Sequence, residues 1–472
     1  MKHLKNFQSL MTAVILLTAC SMPLQAQQRG NRINFNESKL PNGLRILLVE
    51  DHSAPAISLN ISYNVGSKDE LKGHTGFAHL FEHMMFKGSE NVGDGEHFYQ
   101  VLTNGGSMNG QTTNDITRYF ETLPSNQLEL ALFLEADRMK SLEITQEKLD
   151  NQRQAVQEER RSRMDNQAYG KADELIDELV YDNFAYKHSI VGSMEDLNAS
   201  SVKDVADFFR LYYAPNNAVL TLVGDFKRDE ALSLINKYFK SIPQQNAPPV
   251  TQITEPEQNG ERRQTVEDSL ARLPRVQIVY KTAAGNTDDF YALQILSAVL
   301  QSGQSSRLFQ KLYREKLLIS RIGGGQTERR GTGTLNITSY LRTPKNANEV
   351  ESLIYAEIER LMNEPIADWE LEKAKAGARL AFTGRLQNMS SRADTMGMFA
   401  TFYDDPNLIN TRLDKFNAVT KEDVQRVAKK YLIAAHRTVL ITLPQGGGKT
   451  PQTTVIPKSV GVPKSMSVPK SN

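Results

Sequence analysis

Two stretches of this chain end alike, and that repetition limits its folding more than any other feature. Lys203-Asp204-Val205 leads through Phe209-Arg210-Leu211-Tyr212 into the strand-like run Ala218-Val219-Leu220-Thr221-Leu222-Val223. Close to 220 residues later the same order returns as Glu422-Asp423-Val424, Lys429-Lys430-Tyr431 and Thr438-Val439-Leu440-Ile441-Thr442-Leu443. A helix-then-strand unit spelled twice calls for two copies of one architecture, each with an apolar face to bury. The chain length of 472 residues leaves room for about two to three domains on the usual domain size, and the repeat selects two.

Each copy reads as α+β. Leu40-Pro41-Asn42-Gly43-Leu44 carries an Asn-Gly hairpin signal, and Ile57, Leu59, Ile61, Tyr63 and Val65 alternate as a half-buried strand before long helical patterns begin. The expected fold is two homologous α+β domains, each an antiparallel-rich sheet packed with helices. Between them, Ile242-Pro243 through Pro248-Pro249 to Asn259-Gly260 has the composition of a linker.

The chemistry concentrates in the first copy. His79-Leu80-Phe81-Glu82-His83 places two imidazoles one helical turn apart, so both can face one ion with Glu82 beside them. The chain has eight histidines in all, which makes this spacing an unusual coincidence. The flanking run Gly76 to Phe86 is largely apolar, and an inert buried helix is the competing reading. Burying two imidazoles and a carboxylate without a partner is costly, however, and a metal relieves that cost. Zinc accepts neutral imidazole, and H-x-x-E-H is a zinc-peptidase signature. In the second copy, Ala292-Leu293-Gln294-Ile295-Leu296-Ser297-Ala298-Val299-Leu300 stands in the place of this helix with neither histidine nor glutamate.

A hydrolytic zinc site needs a third protein ligand. The helical pattern Gln146 to Arg161 offers two adjacent carboxylates, and its phase chooses between them. At about 100° per residue, Leu149, Gln152, Ala155, Val156 and Glu159 share one stripe while Glu158 turns away. Glu159 is the expected ligand, with an ion pair to a buried arginine as the alternative. Glu158, Arg160 and Arg161 read as a solvated face.

With these residues the chain resembles the pitrilysin or insulinase family of zinc peptidases, in its half-length branch similar to mitochondrial processing peptidase. That family's third ligand is a glutamate about 76 residues past the second histidine, in a segment resembling N-Q-R-x-V-V-x-N-E-R-R. Here Glu159 follows His83 by 76 residues, within Asn151-Gln152-Arg153, Val156 and Glu159-Arg160-Arg161. The resemblance runs from about Phe35 to Leu443. It implies one Zn2+ per chain on His79, His83 and Glu159, with Glu82 as general base toward the attacking water. Gln152 stands where many relatives carry another glutamate.

The resemblance also implies a substrate edge. Asn104 to Thr113 reads as a turn leading into a strand that Thr117-Arg118-Tyr119-Phe120 continues. In the family the segment around N-A-x-T is an edge strand that pairs with the peptide backbone. Asn109, Gly110 and Thr113 are accordingly expected to bind substrate, with Gly110 in place of the usual alanine; an ordinary glycine-rich hairpin is the alternative. The implied architecture is half of a clamshell that admits short, unfolded peptides, the linker serving as a flexible joint. Relatives that complete a substrate site in the second half carry an arginine and a tyrosine, where this chain has Arg314 and, near the tyrosine position, Ser320. A second family subunit supplying that pair is the expected partner, giving a heterodimer, with a homodimer next. Gly323-Gly324-Gly325 is read as lining the chamber or as a turn.

The amino terminus reads as an export signal. Lys2 and Lys5 precede the apolar run Leu10 to Leu17, too short to span a bilayer. Leu17-Thr18-Ala19-Cys20 resembles a bacterial lipobox, so lipidation of Cys20 would anchor the protein to a membrane; cleavage after Ala26 would release it into the periplasm. Both place the chain in the bacterial cell envelope. Cys20 is the single cysteine, which excludes an intrachain disulfide, and a net charge of +1 gives no sign of a nucleic-acid partner. Gly446-Gly447-Gly448-Lys449-Thr450 lacks the first glycine of a phosphate loop. His188 reads as structural.

The division expected is 1–26 signal peptide and lipobox, 27–241 catalytic zinc-binding domain, 242–262 linker, 263–445 metal-free domain and 446–472 disordered tail. Two functions fit: a zinc endopeptidase, or a noncatalytic, partner-dependent assembly subunit of the same fold. The four residues His79, Glu82, His83 and Glu159 favour the enzyme.

Overall fold

A computed structural model describes residues 32–343 and 347–445. Cys20, the two cleavage sites and the tail from Gly446 lie outside the described residues. Two sheets organise the chain. The first holds β1 (Asn36–Lys39), β2 (Arg45–Glu50), β3 (Ala56–Tyr63), β4 (Ser107–Thr112), β5 (Thr117–Pro124) and β6 (Ala218–Gly224), in the order β1-β2-β6-β3-β5-β4. The second holds β7 (Arg262–Asp268), β8 (Arg275–Thr282), β9 (Ile319–Gln326), β10 (Gly333–Leu341) and β11 (Arg437–Pro444), in the order β7-β11-β8-β10-β9.

The repeated ending is visible in detail. Helix Val202–Tyr212 starts on a Ser201/Asp204 capping box and leads through a short 3-10 turn to β6. Helix Lys421–Tyr431 starts on a Thr420/Asp423 capping box and leads through another 3-10 turn to β11. Reciprocal caps of this kind satisfy orphan amides at a helix start, so the shared Ser/Thr-x-x-Asp spacing fixes both starts. β6 then lies parallel to β2 and antiparallel to β3, as β11 does to β7 and β8.

The two halves brace each other. Helix Met389–Tyr403 from the second half lies on the first sheet, where Ala393, Met396, Phe399 and Ala400 pack on Leu47, Val49, Val219 and Val223. Helix Gly170–Val180 from the first half lies on the second sheet, with Ala172, Ile176 and Val180 against Val279 and Leu440. This corrects the half-buried reading of β3. Ile57, Leu59, Ile61 and Tyr63 face one core as expected, yet Ser58, Asn60 and Ser62 are also buried. They carry the second layer because hydroxyls and amides pair locally, Ser58 with Thr122 and Ser62 with Asn60. A helix arriving from more than three hundred residues away is invisible to local alternation.

The connector is tied along this joint. Thr251 bonds Asp69, and Glu255 accepts from the Asp182 and Asn183 amides while pairing with Lys281 at 2.6 Å. Among the described residues, no helix is long and apolar enough to cross a membrane.

Candidate metal centre

Helix Phe77–Met84 carries the histidine pair, and its start is built for one orientation. Gly76 adopts φ 86°, and a Cβ there would sit 2.4 Å from the Val191 carbonyl oxygen, so only glycine fits. The buried Glu70 carboxylate accepts from the Gly76 and Ala78 amides, both at 2.8 Å, satisfying two orphan donors of the first turn. His188 meets the same carboxylate at 2.9 Å, a structural contact rather than a ligand position.

One turn apart on this helix, the His79 and His83 rings stand edge to face with centroids 4.9 Å apart. Helix Gln146–Arg160 brings Glu159 to both, its carboxylate oxygens 3.8 Å from Nε2 of His79 and 3.3 Å from Nε2 of His83. The three donor atoms lie within 4.8 Å of one another. Glu158, by contrast, is 71% exposed and bonds Arg161. Glu159 and Glu158 thus fall on different sides as helical phase predicts, although Ala155 on the expected stripe is exposed and Gln157 is buried. Glu159 also contacts Arg163, from the π-helical turn Arg161–Asp165. The alternative, an ion pair to a buried arginine, is not what the structure shows, because Arg163 is solvent-exposed and shares Glu159 with the histidines.

The donor set suits zinc. Burial, with help from neighbouring His83, pushes the His79 pKa down to about 4, so this imidazole is neutral and its lone pair free at neutral pH. The hydrogen bond with His83 holds Glu159 below the ordinary glutamate range, leaving it anionic. Two imidazoles and one carboxylate are a known catalytic zinc set.

Glu82 points beside this group. Its carboxyl is pushed up by burial, against the hydrogen bond from Thr112, whose Oγ1 donates to Oε2 at 2.6 Å. Gly110 lies against the same side chain: a Cβ there would come 2.9 Å from Glu82 Cγ. Thr112, one residue before the threonine expected at the substrate edge, is the one that reaches Glu82. Thr113, expected at the substrate edge, instead closes a turn by bonding Ile116 through its hydroxyl. Asn109 and Gln152 join Glu82, His83, Phe86 and Phe98 around a cavity of about 300 Å³. β4 is the last strand of its sheet.

A second group, His97, Glu121 and Glu135, also gathers within 4.8 Å and is fully buried. There the Arg138 guanidinium bonds both oxygens of Glu135 and lies 4.4 Å over the Tyr119 ring, so positive charge is already supplied. In the second half a cavity of about 590 Å³ opens between helix Asp288–Gln301 and helix Asp368–Leu386, bounded in part by Ser297, Gly324 and the paired Glu328 and Arg412. Arg314 bonds Gln304 and Ser320 bonds the Tyr340 carbonyl; neither is bonded to the histidine group.

Residues 45–193 match the family described as insulinase, peptidase family M16, and residues 200–378 match the peptidase M16 inactive domain. The chain is 30% identical over 450 residues to the zinc protease PqqE of Helicobacter pylori, an alignment covering 94% of this chain and 100% of that protein. A crystal structure of a protease from Helicobacter pylori superposes with a TM-score of 0.83 at 29% identity, covering 88% of this chain and 100% of that one. The first half of the periplasmic protease PqqL from Escherichia coli shares the fold, with a TM-score of 0.71 at 17% identity over 87% of this chain and 92% of that one.

Proposed function

The chain belongs to the insulinase family, peptidase family M16, and from that membership we propose that it is a zinc endopeptidase of the bacterial cell envelope acting on short, unfolded peptides. The observation that carries this reading is the convergence of His79, His83 and Glu159 within 4.8 Å, with Glu82 alongside. His79, His83 and Glu159 would hold the ion. Bound there, zinc supplies a Lewis acid that polarises the peptide carbonyl and lowers the pKa of water toward neutrality.

This chain's own residues do the rest. Glu82 takes the proton of the attacking water and returns it to the leaving amine. Thr112 holds one oxygen of that carboxylate, which leaves the other free for the proton. A peptide adds to the outer side of β4 as a further strand, and the Asn109 side chain and the Gly110 backbone stand at that edge. The envelope location rests on the leader through Leu17, with Cys20 lipidation or cleavage after Ala26 as its two outcomes.

A partner of the same family, completing the chamber with an arginine and a tyrosine, is part of the proposal, with a homodimer as runner-up. Ser320 at the tyrosine position supports it. The test is hydrolysis of a quenched peptide library by the zinc-loaded chain, alone and with the product of a neighbouring family gene. Zinc-dependent cleavage supports the enzyme. Stoichiometric zinc with no cleavage in either arm would favour the assembly-subunit reading.

A further inference from the structure

The face of β4 turned away from Glu82 is braced by the opposite half of the chain. Gln111 and Arg118 stand directly across from each other in the β4–β5 register, and the Arg118 guanidinium donates from Nη2 to the Gln111 side-chain oxygen. Its Nη1 lies 2.8 Å from Oδ1 of Asp394, a residue of helix Met389–Tyr403. The side chains of Arg118 and Asp394 are 15% and 25% exposed. Burial pushes the Asp394 carboxyl up, against the pull of Arg118 and Arg385.

Withdrawing two ions from water is expensive, and a hydrophobic pair of similar volume would stabilise the joint as well or better. The helix already has its apolar anchor in Ala393, Met396, Phe399 and Ala400. What the ion pair adds is placement, since the carboxylate's charge at 2.8 Å draws a rigid, planar guanidinium to one position. From that position its Nη2 donates to Gln111. β4 has a neighbour on one side only, and a terminal strand containing glycine is the element of a sheet most free to slip or fray.

We propose that Asp394 positions the substrate edge of the first half through Arg118 and Gln111, so that the metal-free half sets how firmly an extended peptide is captured. The proposal rests on the reading of β4 as the strand with which the peptide pairs. Asp394 is a positioning residue: it orients the guanidinium, the guanidinium fixes Gln111, and β4 keeps its register while its outer backbone groups take the peptide.

The test measures capture without turnover. Zinc-loaded full-length protein carrying Glu82→Gln is titrated against a fluorescently labelled pool of unstructured peptides, followed by anisotropy. Adding Asp394→Asn should weaken binding about tenfold, the scale of one charge-assisted contact, with zinc stoichiometry unchanged. Asp394→Glu, which keeps the charge, should stay within about threefold of the parent. Gln111→Ala sits on the exposed edge where it cannot unfold the protein, and it should weaken binding in the same direction, which decides the matter if Asp394→Asn lowers the melting temperature. Unchanged peptide affinity in both Asp394→Asn and Gln111→Ala would overturn the proposal and leave the peptidase reading intact. If the Glu82→Gln parent captures no peptide at all, the peptidase reading falls and this inference falls with it.

Discussion

Glu70 and His188, separated by 118 positions in the chain, meet at 2.9 Å beneath the first turn of the helix that carries His79 and His83. Glu70 spends its two oxygens on the Gly76 and Ala78 amides and on this imidazole, so the helix start is held by a carboxylate that is itself held. Truncating His188→Ala leaves the buried carboxylate short of one partner. Destabilisation of about 1–3 kcal/mol is expected, together with faster zinc loss to a chelator; both are read from urea titration and a zinc-release assay.

Glu82 and the histidines divide the labour differently, and single variants separate them. Glu82→Gln should retain one zinc per chain and lose about 10²–10⁴-fold in turnover, the usual weight of a general base. His79→Ala or His83→Ala should lose metal and activity together. Metal analysis beside a quenched-peptide assay checks both; a Glu82→Gln protein of normal activity would contradict the assigned role.

Acid should weaken the joint between the halves. Asp51 is held at about 2, from an ordinary 3.8, by hydrogen bonds from Ser53 and then Arg392, which lies at 2.6 Å near the start of the cross-packed helix. A folded-state pKa below the unfolded one stabilises the protein at pH above the unfolded value, and that contribution disappears as pH falls toward the folded one. Stability should therefore decline from about pH 4 toward pH 2. Asp51→Asn should flatten that part of the profile, measured as melting temperature against pH.

Phe399 is 1% exposed and sits in the cluster where the second half covers the first sheet. Phe399→Ala should cost about 3–5 kcal/mol. Because each half shields the other's sheet, calorimetry should show one shifted transition rather than early melting of a single half.

The pieces legible in the sequence were those whose signal is local. The H-x-x-E-H spacing places two imidazoles on one face by helix geometry alone, and helical phase distinguishes Glu159 from Glu158 without any knowledge of what lies opposite. The doubled ending was legible because Asp204-Val205 and Asp423-Val424 recur at the same offset before each apolar strand. Contacts made at long range left no such trace. Nothing near Ser58, Asn60 or Ser62 announces a helix beginning at Met389, and the Thr112 contact with Glu82 depends on how β4 is registered against a helix some thirty residues earlier. Thr113, one residue on, has already left β4 and closes the turn to Ile116, so the end of the strand decides which threonine reaches Glu82.

The exchange of helices also bears on the history of such a chain. A duplicated module ordinarily leaves its spare copy free to erode once the first copy suffices for the chemistry. Here the second copy carries neither histidine nor glutamate at Ala292–Leu300, yet it could not be deleted, because helix Met389–Tyr403 roofs the first sheet and helix Gly170–Val180 roofs the second. Loss of either copy would strand the other with a naked apolar back, so solubility alone is enough to keep both halves together.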